Sequence, residues 1–216
     1  MPIARQGTER PMLGEDLREA IGTRDNLRVA LKRVRQNPGS PGTDGLRVEE
    51  LPLYLKEQWR SIKELLLEGE HGPRPVKRVE IPKPGKATEK RKRSIPCGVD
   101  RFIEQAIVQG LQPRWDPPFS DPSYGFRPGR SAPQAIARAQ SYLEAGYGGV
   151  VAIDLAQFFD RVNPDRLLSK RALRIADKRV LKLTRAYLKA GIREEGLVRV
   201  PTEGCAPRGS TCPIVI

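Results

Sequence analysis

The stretch Gly149-Val150-Val151-Ala152-Ile153-Asp154-Leu155-Ala156-Gln157-Phe158-Phe159-Asp160 constrains this chain more than any other. Val150-Val151-Ala152-Ile153 is an unbroken apolar run that delivers one carboxylate, Asp154, and stops. A short apolar run behind glycines predicts a strand buried on both faces. An acid at the end of such a strand is costly to bury unless something pairs with it. A divalent metal is one such partner, because hard cations take carboxylate oxygen. Asn163-Pro164-Asp165 then reads as an N-cap, a proline at N1 and an acid in the first turn of a helix. The unit is strand, carboxylate, aromatic pair, helix. On this segment alone, a solvated aspartate followed by two core phenylalanines is the competing reading.

The chain has 216 residues, room for one large domain or two small ones. It carries 39 Lys+Arg against 26 Asp+Glu, a formal net charge of +13. Such an excess points to a polyanionic partner. Over half of it sits in residues 74–93, with nine basic residues against two Glu, a net of seven. Phosphate contacts dominate nucleic-acid affinity, so this cluster is the expected polyanion surface. No run approaches the ~18 apolar residues of a membrane span, and the first residues lack the apolar centre of a signal peptide. Membrane partners are therefore not expected. Cys97, Cys205 and Cys212 form no C-x-x-C pair, so the default compartment is a reducing cytoplasm. His71, in Gly69-Glu70-His71-Gly72-Pro73, is expected to be solvated. Gly85-Lys86-Ala87-Thr88 lacks the upstream glycine of a P-loop.

Helical spacing predicts helices over 14–36, 47–69, 100–114, 131–145, 164–174 and 178–190. Asn37 to Gly45 is a Gly/Pro loop. Val76, Val79 and Ile81 ahead of the basic cluster, with Ile95 after it, predict a β-hairpin carrying its charge at the tip. Residues 1–13 read as a tail, and 194–216 alternate like strands. The ending Ile214-Val215-Ile216 stops inside an apolar segment, which reads as a truncated chain.

Five blocks stand in order along the chain. They are Asn37-Pro38-Gly39-Ser40-Pro41-Gly42-Thr43-Asp44-Gly45; Ile81-Pro82-Lys83-Pro84-Gly85-Lys86 with Arg91, Ile95-Pro96, Asp100-Arg101 and Gln105; Tyr124-Gly125-Phe126-Arg127-Pro128-Gly129-Arg130-Ser131-Ala132; Ile153-Asp154-Leu155 with Phe158-Phe159-Asp160 and Asn163; and Ala206-Pro207-Arg208-Gly209-Ser210. With these blocks the chain resembles the reverse transcriptases encoded by group II introns, the intron-encoded maturases. The resemblance covers about residues 37–210. It implies an α/β (α+β) fold, the right-hand polymerase fingers and an incomplete palm, helix-rich with a basic β-hairpin. The implied organisation is a tail and helical extension over 1–36, fingers over 37–148 and partial palm over 149–216. The implied activity is RNA-directed DNA synthesis with Mg²⁺. The implied partners are intron RNA, template–primer and deoxynucleoside triphosphates, with a homodimer also compatible.

The resemblance also carries residue roles. Asp154 matches the first catalytic aspartate, which with Leu155 would hold metal. Phe159 matches the aromatic that excludes ribonucleotides at the sugar 2′ position; core packing is its alternative. Lys83 and Arg91 match cations that grip the triphosphate, with a general RNA-backbone contact as the alternative. Leu155 and Arg208 join the nucleotide site. Lys77, Arg78, Lys86, Lys90, Lys92, Arg93, Phe126, Arg127 and Arg130 are expected on nucleic acid; for the last three, packing of their own loop competes. Asp44 and Gly45 shape a turn.

Three departures stand out. Arg208 replaces the family's Gln, adding a charge and removing an acceptor. Thr211-Cys212-Pro213 is one residue short of the family's continuation. No Asp-Asp pair exists in the chain, so the family's Y-A-D-D carboxylates are not supplied. This chain alone is therefore expected not to polymerise. The functional alternatives are a non-catalytic, maturase-like RNA-binding module assisting splicing, and a retron or CRISPR-linked relative.

Overall fold

A computed structural model describes residues 17–83, 85–117, 119–155 and 161–199. The chain divides into two compact units, one formed by residues 1–110 and 157–216, the other by 111–156.

In the first unit, α1 (Leu17–Ile21) and α2 (Arg24–Gln36) replace the single helix that the spacing predicts over 14–36. The apolar period runs through the break, which hides it. Thr23 turns extended, and Asn26 stabilises the corner by donating to the carbonyls of Ile21 (2.7 Å) and Ala106 (3.0 Å). α3 (Leu51–Glu68) ends on Gly69, whose φ of 75° suits glycine. α4 (Gly98–Trp115) contributes Phe102, Ile103, Ala106 and Ile107 to the core, where Trp59 of α3 meets Phe102 edge-on at 5.6 Å. α6 (Pro164–Ala172) starts as its sequence predicts. Asn163 Oδ1 accepts from the N–H groups of Asp165 and Arg166, both at 3.0 Å. α7 (Lys178–Leu188) buries Val180, Tyr187 and Leu188.

The predicted hairpin is present as β1 (Val76–Lys83) and β2 (Lys86–Ile95), which pair antiparallel. Two short strands, β3 (Ile192–Glu194) and β4 (Leu197–Arg199), complete a sheet of order β2-β1-β3-β4, with β3 parallel to β1.

The Gly/Pro loop is a packing device. A Cβ on Gly42 would stand 2.7 Å from the Cys97 Cα, so the loop must approach α4's N-terminus through a glycine. Thr43 donates to the Pro75 carbonyl at 2.9 Å, and the Arg101 guanidinium donates to the carbonyls of Pro96 and Ser40. Asp44 Oδ1 accepts from the Leu46 N–H at 3.2 Å, and Gly45 takes φ 72°, so this Asp–Gly pair forms the turn expected of it. Gly42→Ala is expected to cost about 1–3 kcal/mol of stability by overpacking. Chemical denaturation measures it; an unchanged midpoint would remove the loop from the core's architecture.

His71 is not solvated as the sequence suggests. Its side chain is 11% exposed, with Nε2 3.8 Å from Asp100 Oδ1 and its ring 6.4 Å from that of Tyr187. Asp100, itself buried, accepts from the Arg74 N–H (3.1 Å) and the Tyr187 hydroxyl (3.2 Å). The turn composition around His71 is legible in sequence; its folding back onto α4 and α7 is a tertiary fact.

The second unit holds the end of α4, the loop 119–130 and α5 (Ala132–Glu144), which buries none of its residues. The predicted buried strand is absent there. Residues 150–155 form no ladder with any described residue, and Val150, Val151 and Ile153 are 86, 85 and 83% exposed. A strand is stable only where a neighbour takes its N–H and C=O groups. The apolar run specifies what this segment needs, and no described strand lies beside it.

Candidate nucleic-acid interface and catalytic carboxylate

The hairpin sorts its charges by register. Directly opposed residues of an antiparallel pair share a face. Lys77, Val79 and Ile81 of β1 stand opposite Ile95, Arg93 and Arg91 of β2. Arg78, Glu80 and Pro82 stand opposite Ser94, Lys92 and Lys90. Lys77 and Arg93 therefore occupy one face, and over these paired positions it has no carboxylate. Arg193 of β3 pairs beside Lys77 and extends this face. Its cation was not singled out by sequence reasoning, because only the parallel β1–β3 pairing carries it there.

The opposite face is partly neutralised. Lys90 Nζ lies 3.3 Å from Glu80, and Lys92 Nζ lies 3.6 Å from Glu194. Arg78 is half-buried on that face, and its Nε is buried with no hydrogen-bond partner among the described residues. Lys77 and Arg93 are exposed. The side chains of Lys83, Lys86 and Arg91 lie outside the described ones; their backbones sit toward the hairpin tip, Lys83 opposite Lys86.

In the second unit the loop 119–130 separates its residues by role. Arg127 is 7% exposed and spends its guanidinium on the loop itself. Nε and Nη2 donate to the Asp116 carboxylate at 2.9 and 3.2 Å, and Nη1 donates to the carbonyls of Ser120 and Ser123. Arg127 holds the Asp116 carboxyl below the usual carboxylate range. The geometry thus gives Arg127 to loop packing, the alternative reading of this block. Arg130 stacks over Tyr124 at 5.5 Å and pairs with Asp121 at 3.6 Å. Phe126 is the outward member: it is 80% exposed and takes φ 56°, a left-handed conformation unusual for a large side chain. An exposed aromatic ring suits base stacking.

Asp154 and Leu155 lie in the same unit, both exposed. Among the described residues, none forms a hydrogen bond or ion pair with the Asp154 carboxylate. Nor does any group of three or more His, Cys, Asp or Glu converge there on a metal position. One carboxylate and one main-chain carbonyl offer hard oxygen donors of the kind Mg²⁺ takes, but fewer than a two-metal centre uses. Phe158, Phe159, Asp160 and Arg208 fall outside the described residues. Among the described residues no helix is long and apolar enough to cross a membrane.

The family described as "Reverse transcriptase (RNA-dependent DNA polymerase)" matches residues 81–213, a span that takes in the tip and second strand of the hairpin, the loop 119–130 and Asp154. The chain belongs to the reverse transcriptase family. Protein YkfC of Escherichia coli is 34% identical over 181 residues, covering 82% of this chain and 47% of that protein. The group II intron-encoded protein LtrA of Lactococcus lactis is 28% identical over 190 residues, 87% of this chain and 31% of LtrA. The chain thus spans less than half the length of these relatives. Among solved structures, a chain of a partial Cas6-RT-Cas1–Cas2 complex superposes with a TM-score of 0.58 at 20% identity, over 92% of this chain and 33% of that one. That likeness shows the polymerase fold. The relatives support the group II intron type that the five blocks imply.

Proposed function

We propose that this chain supplies the fingers and the first palm carboxylate of an RNA-directed DNA polymerase of the group II intron type. Asp154 carries the reading: it stands within the matched stretch, exposed, with no partner among the described residues taking its charge. The fingers take 37–148, the palm 149–216 and the N-terminal extension 1–36. Reverse transcriptases as a family use a divalent metal, and we assign Mg²⁺, held by the Asp154 carboxylate and the Leu155 carbonyl. When bound, the metal supplies charge stabilisation to the transferring phosphoryl group. Lys83 and Arg91 bind the triphosphate at the hairpin tip, Arg offering a bidentate fork. Phe159 and Arg208 line the nucleotide site, and Phe126 and Arg130 meet template–primer. Intron RNA, template–primer and deoxynucleoside triphosphates are the proposed partners, with a homodimer as the proposed assembly and the cytoplasm as the proposed compartment. Replacing Asp154 tests the reading, as argued in the Discussion.

A second reading, an RNA-binding maturase module without synthesis, is favoured by one observation: the net charge of +13, over half of it in residues 74–93. It predicts RNA binding that ignores Asp154.

Both readings place RNA on the acid-free face of the hairpin. Each single-strand phosphate contact contributes roughly 0.7 to the log–log salt slope. Replacing Lys77 and Arg93 by Ala is expected to flatten that slope by about 1.4. Replacing Lys90 and Lys92, which already face Glu80 and Glu194, is expected to flatten it by less than about 1. Filter binding of a single-stranded RNA across a KCl series measures both. A larger effect from the Lys90/Lys92 pair would move the interface to the other face.

A further inference from the structure

Two hollows in the first unit have no part in either reading. One, of about 290 Å³, has Ile21, Ile107, Val180 and Leu183 among its walls. The other, of about 420 Å³, adds Leu31, Leu55 and Phe102. Gly22, Leu27, Trp59 and Lys63 line both, so the two form one groove over α2 and α3. Leu27 and Leu31 stand one turn apart on α2, as do Leu55 and Trp59 on α3. Leu27 and Trp59 are only half-buried, so the shared floor keeps hydrocarbon surface open to an occupant.

The rim of this floor is cationic. Arg24 and Arg28 stand one turn apart on α2, and Lys56 and Lys63 two turns apart on α3. All four are exposed and line the second hollow. Among the described residues none of the four is held in an ion pair. Glu19, the carboxylate on the wall of the first hollow, pairs with Arg179 at 3.1 Å. An occupant of such a groove needs the reverse pattern, hydrocarbon at its centre and negative charge at its edges. An amphipathic helix offers both, with apolar side chains one turn apart on one face and carboxylates beside them. Nucleic acid answers the cations but brings no aliphatic side chains to the Leu27, Leu31 and Leu55 floor.

We propose that this groove docks an acidic amphipathic helix of a partner protein. Two apolar side chains, one turn apart, enter the hollows that share Trp59, and Asp or Glu residues meet Arg24, Arg28, Lys56 and Lys63. The surface is independent of Asp154 and of the hairpin.

The test uses the whole chain and a fluorescein-labelled helical peptide of about 16 residues, with Leu and Phe along one face and Glu beside them. Its neutral twin carries Gln for every Glu, and fluorescence anisotropy reads both. At low salt the acidic peptide is expected to bind at least about tenfold more tightly than the twin, and about 0.5 M KCl is expected to remove most of that preference. Lys56→Glu combined with Lys63→Glu is expected to weaken the acidic peptide at least about tenfold and leave the twin within about twofold. Gly22→Phe is expected to weaken both peptides at least about tenfold. Gly22 lines both hollows, and a Cβ there meets nothing closer than the carbonyl oxygens of Arg18 (3.5 Å) and Glu19 (3.6 Å), so the ring takes up groove space. If Gly22→Phe fails to fold, the charge reversals decide alone, because they alter exposed side chains. Equal binding of the two peptides, no binding at about millimolar concentration, or acidic binding untouched by the reversals would each overturn the proposal. Three other results would overturn it by naming a different occupant. A synthetic peptide of residues 1–16 that outbinds the probe would make the chain's own first residues the occupant. A single-stranded RNA that displaces the probe and weakens in the same variants would make the groove an RNA surface. Self-association lost in Gly22→Phe would make it a contact between copies.

Discussion

Asp154→Ala is expected to reduce RNA-templated DNA synthesis at least roughly a thousandfold in a polypeptide that carries these residues and extends a primer. Positioned metals contribute several kcal/mol to phosphoryl transfer, and each ~1.36 kcal/mol is tenfold in rate. The same substitution should leave stability within about 0.5 kcal/mol, because it touches an exposed side chain with no partner among the described residues. Primer extension and thermal melting on one preparation measure both. RNA affinity should also stay constant, since the carboxylate is not among the cations proposed to meet phosphate. Synthesis surviving within tenfold of the parent would end Asp154's assignment. Lost synthesis with an intact fold and intact RNA binding would separate the polymerase from the maturase-module reading.

Asp100→Ala is expected to destabilise the first unit by about 2–5 kcal/mol. It removes the buried acceptor of two hydrogen bonds, from the Tyr187 hydroxyl and the Arg74 N–H, and a lost buried bond costs about 1–3 kcal/mol. At about 2–4 °C per kcal/mol for a chain of this size, the melting temperature should fall by roughly 5–15 °C. Tyr187→Phe removes only the donor and should cost less, about 1.5–3 kcal/mol. In the double variant the two costs should not add, because they share one hydrogen bond. A pH signature accompanies the pair. Burial first, then the Asp100 carboxylate, raises the Tyr187 pKa well above its ordinary value of 10.0. The folded chain therefore keeps a proton that the unfolded chain gives up. That stability is complete below about pH 10 and erodes as pH rises towards the folded value, at about 1.4 kcal/mol per pH unit. Denaturation of the parent and of Tyr187→Phe at pH 9, 10 and 11 isolates it. Parallel pH curves would show that Tyr187 ionises equally in both states.

These two sites differ in how they could be read. Asp154 was legible because a short apolar run ending in one acid is a local pattern, and its place in an ordered set of blocks is a linear one. Asp100 belongs to one of those blocks too, yet its work is invisible in sequence. Its partners are Arg74, 26 positions away, and Tyr187, 87 positions away. Arg127 teaches the same lesson in another of those blocks. A motif can preserve a residue because it builds the loop, and only the hydrogen bonds distinguish building from binding.

The sequence by itself determined the reverse transcriptase resemblance, the helices, the basic hairpin, the Asn163 cap and the Asp44–Gly45 turn, because each rests on neighbours in the chain: periodicity, cap chemistry, charge density. Tertiary structure alone decided the rest. It broke the first helix at Gly22–Thr23, where Asn26 finds a carbonyl on α4. It folded His71 inward against Asp100. It split the hairpin's cations between a free face and a neutralised one, since register and β3 set which carboxylates stand opposite. It left residues 150–153 exposed, because burial is a property of the surface that covers a strand and the run of Val, Ala and Ile only asks for one. It also buried Arg18, whose guanidinium nothing in its local sequence marks as buried.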